Sequence, residues 1–465
     1  MLYHLKMVES QYDICIIGGG INGAGIARDA AGRGLRVLLV DQGDFAGCTS
    51  SASSKMIHGG LRYLEFYDFG LVRKSLAERE VMLKIAPQIV HPMEFCIPHQ
   101  NAVRPAWMVR IGLFIYDHLW PRKKLPASSM INLKTHKFGR PLRKNIDKGF
   151  TYADCWVDDA RLVILNLKSA ELKGATVRNY TRCTELIRSG QNWTIRLKDI
   201  KSDRDDKVSA RVVINATGPY VHEFLRTTNH LMNDTPTLRL VQGSHIVVPK
   251  LYEGDHSYLL QLPDKRVIFV FPYGEYTMCG TTETDFSGDP IEASATQSEK
   301  SYLCKALNVH FEKQTNPDDI VWSFSGVRPL FEDHETDVRT ISRDYRFYQD
   351  RKKDGALLLS VFGGKITTYR TLAEEVMEIL KEDFPQLRGK WTDQKELPYC
   401  PIKLTADSPD EKDIKYFIRE EWVREVDDLI WRRTKWGLHL PKDKLEQVKK
   451  MTQSLLEEGD RHDAE

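Results

Sequence analysis

Residues 12–41 read YDICIIGGGINGAGIARDAAGRGLRVLLVD, and this stretch decides the fold. Tyr12 to Ile17 is a short apolar run, the pattern of a buried strand. Gly18, Gly20 and Gly23 then fit G-x-G-x-x-G. A small-residue helix follows from Ala24 to Gly32, and a second apolar strand from Arg36 to Val40. The order strand, glycine turn, helix, strand is one βαβ unit. The first glycine permits the tight turn, the second lets the backbone approach a pyrophosphate, and the third lets helix and strand lie close. The helix N-terminus offers unpaired N–H groups and a partial positive charge to phosphates. Asp41, 18 residues past Gly23, stands where an acid would hold ribose hydroxyls. Strands, glycines and acid together predict dinucleotide binding. The bland alternative is a glycine turn without a ligand.

Outward from this unit, Ala210 to Ala216 reads as a further strand. Val241–Val248, Tyr258–Leu262, Val267–Phe271 and Thr277–Thr281 recur at short spacing, with Pro263, Asp264 and Gly274 between them. That predicts an antiparallel sheet. Leu357 to Val361 is another strand, followed by Gly363-Gly364 and a helix over Thr367 to Lys381. After Pro401 the chain turns charged and helical, with 406–413 as a polar linker.

The 465 residues suggest two or three domains. Lys and Arg total 67 against 65 Asp and Glu, a balance that argues against a nucleic-acid binder. Cys15, Cys48, Cys96, Cys155, Cys183, Cys279, Cys304 and Cys400 form no C-x-x-C pair and no zinc spacing, so free thiols and no metal are expected. Neither a signal peptide nor a membrane-spanning run is expected.

The next motif separates one dinucleotide from another. Residues 49–65 read TSSASSKMIHGGLRYLE. With 17–34, 104–119, 152–162, 215–219, 243–249, 325–330 and 361–370, this block resembles the FAD-dependent, membrane-associated glycerol-3-phosphate dehydrogenases of the aerobic type. The resemblance covers nearly all of residues 12–400 and again 421–437. It implies a fold of α/β plus α+β class in the manner of glutathione reductase and D-amino-acid oxidase. A Rossmann-type FAD domain is expected over 8–76, 151–235 and 325–397. An antiparallel-sheet substrate domain is expected over 77–150 and 236–324. A shortened helical C-terminal cap would span 398–465, with 404–415 as the charged stretch before its first helix and Trp431-Arg432-Arg433-Thr434-Lys435 retained.

Noncovalent FAD is the implied cofactor. Beside Gly18, Gly20, Gly23 and Asp41, the resemblance assigns it Thr49, Ser50, Ser51, Ser53, Lys55, His58, Gly59, Val177, Thr217, Gly218, Gly363, Gly364, Lys365 and Thr367. The turn Gly363-Gly364 ends a strand and opens a helix, which puts N–H groups where a flavin pyrimidine edge could sit; a plain connection is the alternative.

The implied substrate is sn-glycerol 3-phosphate, oxidised to dihydroxyacetone phosphate by hydride transfer to flavin N5. Arginine suits its phosphate because a planar fork gives two charge-assisted bonds. Arg62, Arg328 and Arg343, with Lys365 as a point charge, are the candidates, and Tyr63 joins Arg62. A solvated surface charge is the bland reading of each. Arg328 is expected just past a strand over Val321 to Ser325. His245 is a candidate base for the hydroxyl proton, or else a structural histidine. His245, Arg328 and Lys365 form the expected catalytic group.

Residues 104–124, RPAWMVRIGLFIYDHLWPRKK, set Trp107, Ile111, Phe114 and Ile115 at helical spacing beside Arg122, Lys123 and Lys124. This suits a helix lying on an anionic membrane, or a core helix with a solvated end. The resemblance implies attachment to the cytoplasmic face of the membrane and delivery of electrons to a quinone, and leaves a homodimer open. A glycerol-3-phosphate oxidase using oxygen, or a flavin-binding redox module without turnover, are the rival functions.

Overall fold

The computed structural model describes residues 11–99, 104–264, 266–331, 344–351, 355–402 and 409–462. In chain order, β1 (Tyr12–Ile17) runs through the glycine turn into α1 (Ile21–Gly32) and β2 (Val37–Val40). Then come α2 (Phe69–Ile85), β3 (Val90–His99), α3 (Ala106–His118), β4 (Lys148–Val157), α4 (Asp159–Glu171), β5 (Thr176–Arg178) and β6 (Asp205–Asn215). β7 (Leu238–Pro249), β8 (Ser257–Gln261), β9 (Val267–Tyr273), β10 (Tyr276–Gly280), β11 (Trp322–Phe331), β12 (Tyr345–Asp350), β13 (Leu357–Gly363) and α5 (Tyr369–Leu380) follow.

The first sheet has the order β12-β13-β6-β1-β2-β5, and its inner strands are parallel. Ile17 lies beside both Val40 and Asn215, and Asn215 beside Ser360. The C-terminal ends of β1, β2, β6 and β13 therefore open on one edge, where ligands bind in such sheets. The core strands are apolar on both faces because both are covered. Ile14, Ile16, Leu39 and Ile214 pack against Ala27 of α1, Val163 of α4 and Val376 of α5. On the other face Cys15, Leu38 and Val213 pack with Trp193, from the hairpin formed by the strands Thr181–Ser189 and Asn192–Asp199.

The second sheet is antiparallel as expected, except that β8 runs parallel to β3. β7 carries β11 along ten register positions, from Leu238↔Phe331 to Val247↔Trp322. Arg328 thus lies inside a strand, opposite Val241, and not beyond one. This sheet also takes in Met56–Ile57, β4 and β11, so its strands stand on both sides of the expected boundaries at 150/151 and 324/325.

At the C-terminus the helix Glu411–Glu420 starts inside the expected linker, because Asp410 and Asp413 form a capping box there. Residues 406–408 of that linker lie outside the described residues. Ile414, Phe417, Leu429 and Trp436 make a separate small core. All eight cysteines are free thiols.

Candidate active site

The glycine turn has the geometry its sequence demands. Gly18 has φ +112°, and a Cβ on Gly23 would stand 1.9 Å from the Gly18 carbonyl oxygen. Gly20 differs: a Cβ there would meet only Ser50 Oγ, at 3.1 Å. Its bareness serves approach from outside, not internal packing. Ser50 Oγ accepts a hydrogen bond from Ile21 N at 3.0 Å, at the first turn of α1. Asp41 ends β2 as expected, but its carboxylate accepts from the amides of Gly19 (2.6 Å) and Gly43 (2.8 Å). Burial pushes this carboxyl up to about 6, against the pull of those two amides. Val177 lies beside Leu39 in the neighbouring strand, Thr217 Oγ1 donates to Asn215 Oδ1 at 2.7 Å, and Gly218 takes φ +61° at the end of β6.

Beside this edge lies a cavity of about 290 Å³ between the two sheets. Thr49, Ser50, Ser53, His58, Arg62, Tyr63, Arg328, Gly364, Lys365 and Thr367 all line it, drawn from positions more than 300 residues apart. Gly363 (φ +76°) and Gly364 (φ +95°) form the turn expected after β13. Asn22 Nδ2 donates to the Gly363 carbonyl at 3.2 Å, which ties that turn to α1. The bare Gly20, the amides opening α1 and the paired glycines at 363–364 leave backbone for a pyrophosphate at one end and a flavin ring at the other. The residues fit FAD.

Several expected residues hold the site, all but Ser53 without lining the cavity. Lys55 is buried, and its Nζ donates to both oxygens of Asp159 (2.8 and 2.9 Å) and to Ser51 O (3.0 Å). It fixes the 49–55 loop; it is not a cavity group. Ser53 joins the same carboxylate through its N and Oγ. Ser51 Oγ turns back to Cys48 O at 3.4 Å, and Gly59 packs against Leu76 and Tyr116. His245 stands behind Ser54: its Nε2 is 3.0 Å from Ser54 Oγ, and Ser54, not His245, lines the cavity. Burial, with Arg328 and Lys55 nearby, pulls this imidazole well below its ordinary value, so it is neutral at pH 7. Its ring stacks on Phe324 at 4.8 Å. Arg343 lies outside the described residues.

The cavity wall also holds groups the sequence did not single out. Glu283 Oε2 lies 3.5 Å from Arg62 Nη1. Arg328 Nη2 donates to Thr281 Oγ1 at 3.0 Å. Lys365 Nζ stands 5.0 Å from the centre of the Tyr63 ring. At the mouth Arg104 pairs with Glu65. These partners sit far apart in sequence, and only the tertiary fold brings them together. Within the C-terminal motif, Arg433 grips Asp44 (2.5 and 2.7 Å) and Arg432 joins it. Burial alone would raise Asp44; the two guanidiniums outweigh it and hold the carboxylate low. The C-terminal segment therefore clamps the loop that follows Asp41.

The outer face of α3 is apolar and exposed at Trp107, Met108, Ile111 and Phe114, while Val109, Leu113 and Tyr116 face inward. Phe66, Tyr67 and Phe69, close to the cavity mouth, extend the exposed apolar surface. Arg122 is not available to a membrane as expected: it pairs with Asp117 at 2.9 Å. Among the described residues no helix is long and apolar enough to cross a membrane.

Residues 13–370 match the family described as FAD dependent oxidoreductase. The aerobic glycerol-3-phosphate dehydrogenase of Escherichia coli K12 is 42% identical over 94% of this chain and 96% of its own. A D-erythritol 1-phosphate dehydrogenase of Brucella abortus is 42% identical over 92% of this chain and 95% of its own. A glycerol-3-phosphate dehydrogenase structure from Bacillus halodurans, complexed with FAD, superposes with a TM-score of 0.75 at 24% identity, covering 97% of this chain and 91% of that one. That last likeness is one of fold.

Proposed function

The chain belongs to the FAD-dependent oxidoreductase family, and from that premise we propose that it oxidises sn-glycerol 3-phosphate to dihydroxyacetone phosphate and passes the electrons to a membrane quinone. The observation that carries this reading is the convergence of Arg62, Arg328 and Lys365 on one cavity beside the two glycine turns. A phosphate carries about two negative charges at neutral pH, and Arg62, Arg328 and Lys365 on one cavity offer it charge-assisted bonds.

Bound FAD supplies the two-electron acceptor for the carbinol hydride. The chain's own residues do the rest. Arg328 and Arg62 hold the phosphate, and Lys365 adds a point charge. As the hydride departs, the substrate hydroxyl gives its proton to Ser54 Oγ, and Ser54 gives its own to the neutral Nε2 of His245. Imidazolium in that buried place is costly beside Arg328; a phosphate dianion on Arg328 lowers the cost. Among the described residues, the first sheet with α1, α4 and α5 holds the flavin, the second sheet covers the substrate, and Arg432 and Arg433 clamp the Asp41–Asp44 loop.

The exposed apolar face of α3, with Phe66, Tyr67 and Phe69, docks on the cytoplasmic face of the membrane beside the cavity mouth. That surface favours quinone over oxygen as acceptor. Steady-state turnover with glycerol 3-phosphate and with glycerol tests the substrate: the phosphate should dominate kcat/KM. The Brucella abortus relative motivates one second reading, a longer polyol phosphate, and D-erythritol 1-phosphate belongs in the same assay.

A further inference from the structure

The loop His58–Gly60 runs along the cavity without regular secondary structure, so side chains from elsewhere must hold it. On one side Thr367 Oγ1 accepts from His58 N at 3.3 Å and lies 3.4 Å from its carbonyl oxygen. On the other, Gly59 N–H donates to Tyr116 Oη at 2.8 Å, with Asp154 Oδ1 farther off at 3.4 Å. Tyr116 donates in turn to the Asp154 carboxylate, 2.8 Å from each oxygen. Arg79 Nη1 donates to that carboxylate at 2.7 Å and to Ala153 O at 2.9 Å. All three side chains are buried.

The direction of every bond in this chain is fixed. A tyrosine hydroxyl has one proton to donate; Tyr116 donates it to Asp154, which leaves the oxygen lone pairs to accept from Gly59 N–H. Burial and the Asp154 charge drive the phenol well above its ordinary value, so it keeps that proton. Gly59 has no room for a side chain: a Cβ there would lie 2.5 Å from Leu76 Cδ2 and 2.6 Å from Tyr116 Oη. The loop thus rests directly on one hydroxyl.

We propose that Tyr116 and Asp154 are positioning residues for the flavin: through the Gly59 amide they set where the His58–Gly60 backbone meets it. Neither residue needs to touch the substrate phosphate for this role. The seat is carried by the inward side of α3, the helix whose outward side is exposed and apolar. The proposal rests on FAD lying in this cavity.

The test is Tyr116→Phe, which keeps the ring and removes the hydroxyl. A buried amide donor then loses its short acceptor, worth about tenfold in whatever depends on the loop. The dissociation constant of FAD should rise about tenfold, and the visible absorption of the bound flavin should shift. With glycerol 3-phosphate, kcat should fall about tenfold while KM stays within about twofold. Leu113→Ala is the control. It loosens the same inward face without touching a hydrogen bond, and should lower the thermal midpoint while leaving the flavin spectrum in place. The proposal is overturned if Tyr116→Phe changes the midpoint alone, or if Leu113→Ala moves FAD affinity and spectrum as far as Tyr116→Phe does. Wild-type protein that purified without FAD and did not take it up would remove the premise instead, a result visible before any substitution is made.

Discussion

Replacing Trp107, Ile111 and Phe114 together with Ser asks whether the outer face of α3 holds the protein on a membrane. These side chains are 62%, 51% and 53% exposed. Aromatic side chains present about 150–250 Å² each, so the three offer roughly 350 Å² to a bilayer interface. If half of that leaves water, at about 25 cal/mol per Å², the gain is about 4 kcal/mol, or about a thousandfold in partition. The charged part is smaller. Arg122 is engaged by Asp117, which leaves Lys123 and Lys124, at about 1 kcal/mol each near an anionic surface. The apolar variant should therefore lose most vesicle binding on neutral and anionic lipid alike. Lys123→Gln with Lys124→Gln should lose about thirtyfold, on anionic vesicles at low salt only. Vesicle sedimentation reads both, and reduction of a soluble dye should persist in both. An apolar variant that sediments like the wild type would refute the reasoning and place α3 among ordinary surface helices.

Four further outcomes are expected. Gly20→Val should give soluble, colourless protein, because a side chain at 20 meets little but Ser50 in the chain itself; Gly23→Ala should instead damage folding, with its Cβ 1.9 Å from the Gly18 oxygen. Absorbance and yield separate the two. Arg328→Ala should cost about 1.5–3 kcal/mol of affinity for glycerol 3-phosphate, about ten- to a hundredfold in kcat/KM, and much less for glycerol; equal losses on both would deny it the phosphate. Lys55→Met should lower stability by about 3–5 kcal/mol, since Asp159 stays buried without its cation; an unchanged urea midpoint would contradict that. Burial lowers His245 well below 6.5 and His256 to about 4. Their contribution to stability is complete above pH 6.5 and is lost as pH falls below it, because the unfolded chain then binds the extra protons. The urea midpoint should drop from pH 6.5 toward 4, and less steeply in His256→Gln.

Much of the flavin half was legible because its signals are local. A short continuous apolar run, three glycines and an acid all fall within 30 residues. The block 49–65 was legible as a motif, but the division of labour inside it was not. Lys55 is assigned to FAD by the resemblance, yet α4 brings Asp159 against it. His245 reads as a base on a strand, yet Ser54 stands between it and the cavity. Arg328 reads as lying just past a strand that ends at Ser325; pairing with β7 carries that strand on to Phe331, with Pro329 in register opposite Leu240. Glu283, Asp154 and Tyr116 carried no sequence signal. Their roles come from cross-sheet and helix-to-loop contacts between residues as much as 221 positions apart, as for Arg62 and Glu283.

The most direct measurement is anaerobic. Purified protein, yellow with oxidised FAD, is mixed with sn-glycerol 3-phosphate, glycerol or D-erythritol 1-phosphate, and the flavin absorbance near 450 nm (about that wavelength for oxidised flavins) is followed. The account predicts rapid, full bleaching with glycerol 3-phosphate, slower bleaching with the longer polyol phosphate, and almost none with glycerol. Protein that stays yellow with glycerol 3-phosphate, or that bleaches faster with D-erythritol 1-phosphate, would contradict it.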